Sequence, residues 1–442
     1  MRNLEGIQFQ ITLYIASDLA NPATMKNRLC SMLSTIVVSI TPILAQSECD
    51  GERYRFTSTY ENVSVSEGHV YGQNIDALGL DTELDFDFYE AVGNGEANRP
   101  LIIIAHGGFF LAGANNGMDV VPLCEDFAKM GYAVASISYR LGIANLLDLE
   151  NELIRAVWRG VHDGRAAVRH FRKSVEEDGN PWGIDPERIY MGGVSAGGFL
   201  ALHHAYVDNE SEIPSVIDQS QPGMGGGLEG ASGNPGYSSD VAGIFNVSGA
   251  LKDADWMQAG DAPLVSVHGT ADGTVPYGTG SVALLGFNVT EVDGSATLHE
   301  QAEEIGLTHC FVTIDGAGHV PHVTNADAYD VTLSTVAGAL SSWICASYPN
   351  QCGAYDYTSD IREQVATAVR MYPNPATGGQ VTLSHSASDG EWTSFIRDAQ
   401  GRVISEHSAS GPQSTLDVSA LPSGLYVIEV ADWRWRQRLI VR

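Results

Sequence analysis

Residues 193–197 read Gly193-Val194-Ser195-Ala196-Gly197. A serine flanked in this way suits a sharp strand-to-helix turn that lifts its hydroxyl clear of a sheet. The pentapeptide alone is a weak signal. With 48 Gly among 442 residues, roughly 0.3 to 0.4 chance matches are expected in such a chain. Its neighbours decide the matter. A serine attacks only when a base takes its proton, and the base needs an acid to orient it. Asp272 follows the apolar run Val265-Ser266-Val267 in a Gly-rich turn. His319 closes a second such turn, Asp315-Gly316-Ala317-Gly318-His319, after Phe311-Val312-Thr313-Ile314. The nearby acids Asp253, Asp255 and Asp261 sit in segments that read as loops or helix starts, so Asp272 is preferred. His319 is preferred over His322 because its turn is richer in glycine.

Attack on an acyl carbon creates an oxyanion that needs N–H donors. The run Leu101-Ile102-Ile103-Ile104-Ala105 leads into His106-Gly107-Gly108-Phe109-Phe110. Glycines there let backbone N–H groups approach a ligand. Gly108 and Ala196 form the natural donor pair, with Gly107 and Phe109 as alternatives. Phe109, Phe110, Trp256 and Met257 are candidates to line a pocket, although core packing explains each equally well. His268 reads as structural. His203 and His204 are adjacent on a helix, face different sides and form no metal pair. No metal or cofactor is expected.

These residues need a scaffold. Leu101–Ala105 is a buried-strand run, and Ala133 to Tyr139 repeats it. Leu84, Phe86 and Phe88 alternate with Asp85, Asp87 and Tyr89, which predicts a half-exposed strand. Further strands are predicted at Ile189 to Gly192, Val241 to Val247, Leu264 to Val267 and Phe311 to Ile314. Helical spacing of Ile154, Val157, Val161, Val168 and Phe171 predicts a helix over 151–175, and another is predicted over 324–344. The fold class is α/β, a mostly parallel doubly wound sheet. Residues 208–240, rich in Gly, Ser, Pro and Asn, read as a surface insertion bordering the substrate cleft. After Tyr372, short strands punctuated by Pro, Gly, Asn and Asp predict a small all-β sandwich.

Charge and targeting bound the setting. The chain carries 24 basic and 54 acidic residues, a formal charge of −30, which disfavours nucleic acid and anionic membranes. Met25-Lys26-Asn27-Arg28 followed by the apolar stretch Leu29–Leu44 and Ala45-Gln46 reads as a signal peptide. Residues 1–24 read as an over-called or non-native start. No run is long enough for a spanning helix. Export permits disulfides. Excluding Cys30, five cysteines remain; Cys345–Cys352 and Cys49–Cys124 are the expected pairs, with Cys310 a buried free thiol. The expected division is 1–46 start plus signal (25–46), 47–345 catalytic, 346–370 linker and 371–442 C-terminal domain.

On His106-Gly107-Gly108, Ser138-Tyr139-Arg140-Leu141-Gly142, Asp163-Gly164-Arg165-Ala166-Ala167 and the Ser195, Asp272 and His319 turns, residues 50–345 resemble the α/β-hydrolase superfamily, nearest its secreted carboxylesterases. The resemblance implies a serine ester hydrolase without metal. Phe109 departs from the three-glycine form of the oxyanion motif. Tyr372-Pro373-Asn374-Pro375-Ala376, Leu421-Pro422-Ser423-Gly424-Leu425-Tyr426-Val427 and Arg438-Leu439-Ile440-Val441-Arg442 resemble the sorting domain of the type IX secretion system. That resemblance implies the type IX machinery as a partner, a Bacteroidetes-type bacterium and a secreted or surface-attached product. Acetyl or feruloyl esters on polysaccharide, short lipids and polyesters are open as substrates, and a monomer is expected. A serine peptidase of the same fold and a binding protein with a degenerate hydrolase domain are the alternative readings.

Overall fold

The computed structural model describes residues 49–348 (except 58, 285 and 286), 352, and in the C-terminal region 369–372, 376, 379–385, 391–397, 403–411, 413–422, 424–430 and 435–441. The expected signal peptide, Cys30 and most of the expected linker lie outside the described residues.

The larger sheet has eight strands. In chain order they are β1 (Val63–Ile75), β2 (Asp81–Ala91), β3 (Arg99–Ala105), β4 (Ala133–Ile137), β5 (Ile184–Val194), β6 (Gly243–Val247), β8 (Leu264–Gly269) and β11 (His309–Ile314). Their spatial order is β1-β2-β4-β3-β5-β6-β8-β11. From β4 to β11 every pairing is parallel, and β1 and β2 add antiparallel pairings at one edge. The predicted α/β architecture is therefore present. Helices α1 (Val121–Lys129) and α5 (Ala326–Ile344) pack with Ile102 and Ile104. Helices α2 (Leu149–Glu177), α3 (Ala196–Tyr206) and α4 (Ser295–Ile305) pack with Leu101 and Ile103. The uninterrupted apolar character of β3 follows, since alternate residues serve two separate cores.

β2 departs from its expected half-exposed state. Asp87 and Tyr89 are buried as well as Phe86 and Phe88. Asp87 accepts from the Gly68 N–H at 2.9 Å, and Tyr89 packs into the α1–α5 core. An alternating sequence is thus covered on both faces because a bulged β1 supplies a donor.

A second sheet went unread in the sequence. β7 (Ala250–Leu251), β9 (Thr279–Leu284) and β10 (Phe287–Gly294) pair in the order β7-β10-β9. The apolar run Val282-Ala283-Leu284-Leu285 before Gly286 and the β-branched Val289, Thr290 and Val292 after it were the available sign.

The segment 208–240 is anchored, not a plain surface loop. Arg140 and Asp163 form an ion pair with both side chains fully buried, Nη2 to Oδ1 2.8 Å. Arg140 also donates to the carbonyls of Ile75 and Gly223, both at 2.8 Å. Ser232 donates to Asp163 at 2.6 Å. Along α2, His162, Arg165, Arg169 and Arg172 bond carbonyls of Gly227, Leu228, Glu229, Gly233 and Ser238. A glycine-rich segment has little apolar surface to bury. Here the charged face of a helix satisfies its backbone instead.

The cysteine pairing corrects expectation. Cys49 joins Cys345 and Cys310 joins Cys352, while Cys124 is the buried free thiol. β11 runs at the edge of the sheet and brings Cys310 near the end of α5. Closeness in sequence between Cys345 and Cys352 did not decide the partners. Burial pushes the Cys124 thiol up.

In the C-terminal region, β12 (Val369–Tyr372), β13 (Gln380–His385) and β16 (Gln413–Asp417) form one antiparallel sheet. β14 (Glu391–Arg397), β15 (Val403–Ser410), β17 (Gly424–Val430) and β18 (Trp435–Val441) form another. Val381, Leu383 and Leu416 of the first share a core with Trp392, Ile428 and Leu439 of the second, as expected of a small sandwich.

Removing one partner of a buried pair strands the other charge. Asp163→Ala is expected to lower unfolding free energy by about 3–5 kcal/mol, read as an earlier urea midpoint. Glu229→Gln, whose carboxylate is 55% exposed beside Arg169, is expected to cost less than about 1 kcal/mol. Equal midpoints for the two variants would contradict this account.

Candidate active site

Ser195 sits between the end of β5 and the start of α3. Its backbone has φ 53° and ψ −112°, a conformation that costs on the order of 1–3 kcal/mol for a residue with a side chain. Its surroundings enforce it. The Ser195 N–H donates to the Val247 carbonyl at 2.8 Å, and the Ser195 carbonyl accepts from Phe199 N–H at 3.0 Å. A Cβ on Gly197 would overlap the Ala105 carbonyl. Only glycine permits α3 to start that close to β3.

Asp272 and His319 follow the ends of β8 and β11. All three residues therefore follow the carboxyl ends of parallel strands of one sheet, β5, β8 and β11, where open α/β sheets hold their sites. His319 Nε2 lies 2.8 Å from Ser195 Oγ, and His319 Nδ1 lies 2.7 Å from Asp272 Oδ2. With the proton on Nδ1, His319 donates to Asp272 and accepts from the Ser195 hydroxyl. The structure brings these three together as a continuous chain of hydrogen bonds.

Asp272 is held by more than His319. Its Oδ1 accepts from the N–H groups of Thr274 at 2.8 Å and Val275 at 3.0 Å. His268 Nε2 lies 3.2 Å from Oδ2, and Ser295 Oγ bonds His268 Nδ1 at 2.8 Å. Burial raises the Asp272 pKa, but the bonds from His268 and His319 outweigh it and hold the carboxyl well below its usual range. His268 and His319 thus meet the same oxygen of Asp272. The rival residues are otherwise engaged. Asp253 caps Asp255 N–H at 3.0 Å, Asp261 accepts from Gln258 N–H at 2.7 Å, and His322 bonds the Asp119 carbonyl at 3.1 Å.

The turn after β3 is tightly wound. Gly108, Phe109 and Phe110 all have positive φ, at 113°, 59° and 58°. Gly107 was expected among the oxyanion donors. Its N–H instead donates to Asp119 Oδ2 at 2.7 Å, so a second acceptor would have to displace a carboxylate. A Cβ on Gly107 would lie 3.4 Å from Ser195 Cβ, which places this turn against the serine. Asp119 was missed because it stands in no motif and lies 12 residues from its partner.

A small space beside Ser195 is lined by Phe109, Phe110, Ala196, Phe199, Val275 and Val282, among others. Trp256 lines a separate, larger cavity. Met257 packs in the core at 2% exposure and lines neither. Val282 carried no sequence signal because β9, which supplies it, is not evident in the sequence, and Val275 lies in the turn after Asp272. His203 bonds the Phe199 carbonyl and His204 the Ser239 carbonyl. Among the described residues no cluster could hold a metal ion, and no helix is long and apolar enough to cross a membrane.

Residues 86–225 match the BD-FAE family model, and residues 370–442 match the model of a secretion system C-terminal sorting domain. No curated protein matches the chain. Among solved structures, the apo form of Thermogutta terrifontis esterase 2 is similar at 22% identity, covering 62% of this chain and 92% of that one, with a TM-score of 0.43. The truncated form of a carbohydrate esterase from gut microbiota is similar at 20% identity, covering 64% and 98%, with a TM-score of 0.43.

The lowered Asp272 pKa has a consequence for stability. In the unfolded chain this carboxyl titrates near 4. A folded-state value below that contributes stability that is full above about pH 4 and is lost as pH falls towards the folded value. The gap in unfolding free energy between the wild type and Asp272→Asn is therefore expected to be flat from about pH 5 to 8 and to shrink below about pH 4. Urea titrations at four pH values would show it; a gap that widens on acidification would refute the assignment.

Proposed function

We propose that this chain, an α/β-hydrolase esterase joined to a type IX sorting domain, hydrolyses carboxylic esters through an acyl-enzyme on Ser195. One observation carries the reading: the hydrogen-bonded chain Ser195–His319–Asp272, at 2.8 and 2.7 Å. The residue boundaries proposed are 47–345 for the catalytic unit, 346–370 for the connector and 371–442 for the sorting domain, with 25–46 as a signal peptide.

The steps follow from the geometry. His319 Nε2 takes the Ser195 proton as Oγ attacks the ester carbonyl. The imidazolium so formed is stabilised by Asp272, which is ionised at neutral pH and cannot turn away, because two N–H groups and His268 hold it. The oxyanion accepts from backbone N–H groups of Gly108 and Ala196, with Phe109 as the neighbouring donor. Each such donor is worth roughly 3 to 4 kcal/mol in the transition state. Asp119 removes Gly107 from that set and pins the turn. His319 then protonates the leaving alcohol, and water, activated by the same base, releases the acid.

The natural ester is proposed to be a carboxylic ester met outside the cell, since the sorting domain directs the enzyme there. Acetyl or feruloyl groups on a polymer, and polyesters, fit that setting.

Ser195→Ala is expected to lower kcat on p-nitrophenyl acetate by on the order of 10⁶-fold, and Asp272→Asn by about 10⁴-fold. Both variants should keep the wild-type circular dichroism spectrum. Labelling by a fluorophosphonate probe should map to Ser195 by peptide mass spectrometry. Full activity in a folded Ser195→Ala would end the proposal.

A further inference from the structure

Two apolar spaces meet behind Ser195. The inner one, beside Ser195 and Ala196, has a volume of about 20 Å³, room for about one water-sized group. The outer one is about 440 Å³, within the range of small-molecule sites. Trp158, Val207, Ile213, Trp256 and Val292 line it, and exposed Ser211, Ser215 and Lys252 lie at its mouth. Leu153, Val157 and Phe199 border both spaces. One layer of side chains therefore separates the serine from a large apolar chamber.

Phe199 is the largest of the three and is held in place. It stands on α3 one turn before His203, whose Nδ1 bonds the Phe199 carbonyl at 2.8 Å. The two rings stack at 12° and 6.1 Å, and Trp256 meets His203 edge-on at 5.9 Å. Burial pushes the His203 pKa down to about 4, so near neutral pH the imidazole adds no charge to this wall.

The inner space takes the acyl side of an ester. His319 must reach the leaving oxygen, and it does not line that space. We infer that Phe199, with Leu153 and Val157, is a specificity-determining partition: it restricts the acyl group on Ser195 to a short chain and closes off a chamber able to hold a medium-length hydrocarbon tail. This inference rests on the acyl-enzyme reading. An acetyl methyl fits the inner space. An octanoyl tail must pass where the Phe199 ring stands.

Chain-length profiles of the full chain on p-nitrophenyl acetate, butyrate and octanoate test it. Wild-type kcat/KM is expected to fall by at least about tenfold from acetate to octanoate, in keeping with the size of steric discrimination in apolar pockets. Phe199→Ala is expected to raise the octanoate-to-acetate ratio by about tenfold or more, and Val157→Ala to move it the same way should the first variant not fold. Adding Ile213→Trp, which fills the chamber from the far wall, should cancel the gain. A wild type that prefers octanoate, a ratio unchanged in both single variants, or a gain that survives Ile213→Trp would overturn the partition. Absence of any ester hydrolysis and of Ser195 labelling in folded wild type would instead overturn the acyl-enzyme reading.

Discussion

The Arg140–Asp163 pair is the constraint on which the rest of the catalytic region depends. Both side chains are wholly buried, and each ion costs several kcal/mol to desolvate. That cost is offset only if every donor and lone pair finds a partner. Arg140 therefore draws in the end of β1 through the Ile75 carbonyl, the 208–240 segment through Gly223 and Ser232, and α2 through the Arg159 carbonyl. Once α2 is fixed, Gly164 lies so near Met191 and Leu200 that a Cβ there would sit 2.7 and 2.8 Å from them. α2 is thereby pressed against β5 and α3, the two elements that hold the strained serine between them.

Strain and support are divided between different parts of the molecule. Ser195, Phe109 and Phe110 occupy backbone conformations that side chains disfavour. The compensating bonds come from elsewhere: Val247 on β6 for the serine, and the Gly142 N–H donating to the Phe110 carbonyl at 2.8 Å for the turn. Asp119 adds a carboxylate to the same turn. The two disulfides fasten the start and end of the catalytic region, with Cys49 reaching across 296 residues to Cys345.

Much of the scaffold was legible because periodicity reports burial. The runs at 101–105, 133–139, 189–192, 241–247, 264–267 and 311–314 fall on parallel strands, with ends that differ by up to five residues. Their sequences are largely apolar because helices cover both faces. Two of the misreadings share one cause. β2 alternates in sequence yet is covered on both sides, and 208–240 looks like an exposed loop yet is bonded to α2. In each case polar groups are buried, and polar burial depends on partners far away in the chain, which a local pattern does not contain.

The sequence alone determined the order of the candidate residues: a serine in a glycine-flanked turn, then an acid, then a histidine, each after an apolar run, with a glycine turn ahead of them and a sorting module behind. Those features are local, since each depends on a few adjacent residues. The tertiary structure decided what depends on distance. It set Ser195 2.8 Å from His319, gave Asp272 a second histidine, committed the Gly107 N–H to Asp119 and exchanged the expected cysteine partners. It also placed Leu153, Val157 and Phe199 in the walls of two spaces at once. Such contacts join residues from four to 296 positions apart, and only the packed chain fixes which of many possible pairings is made.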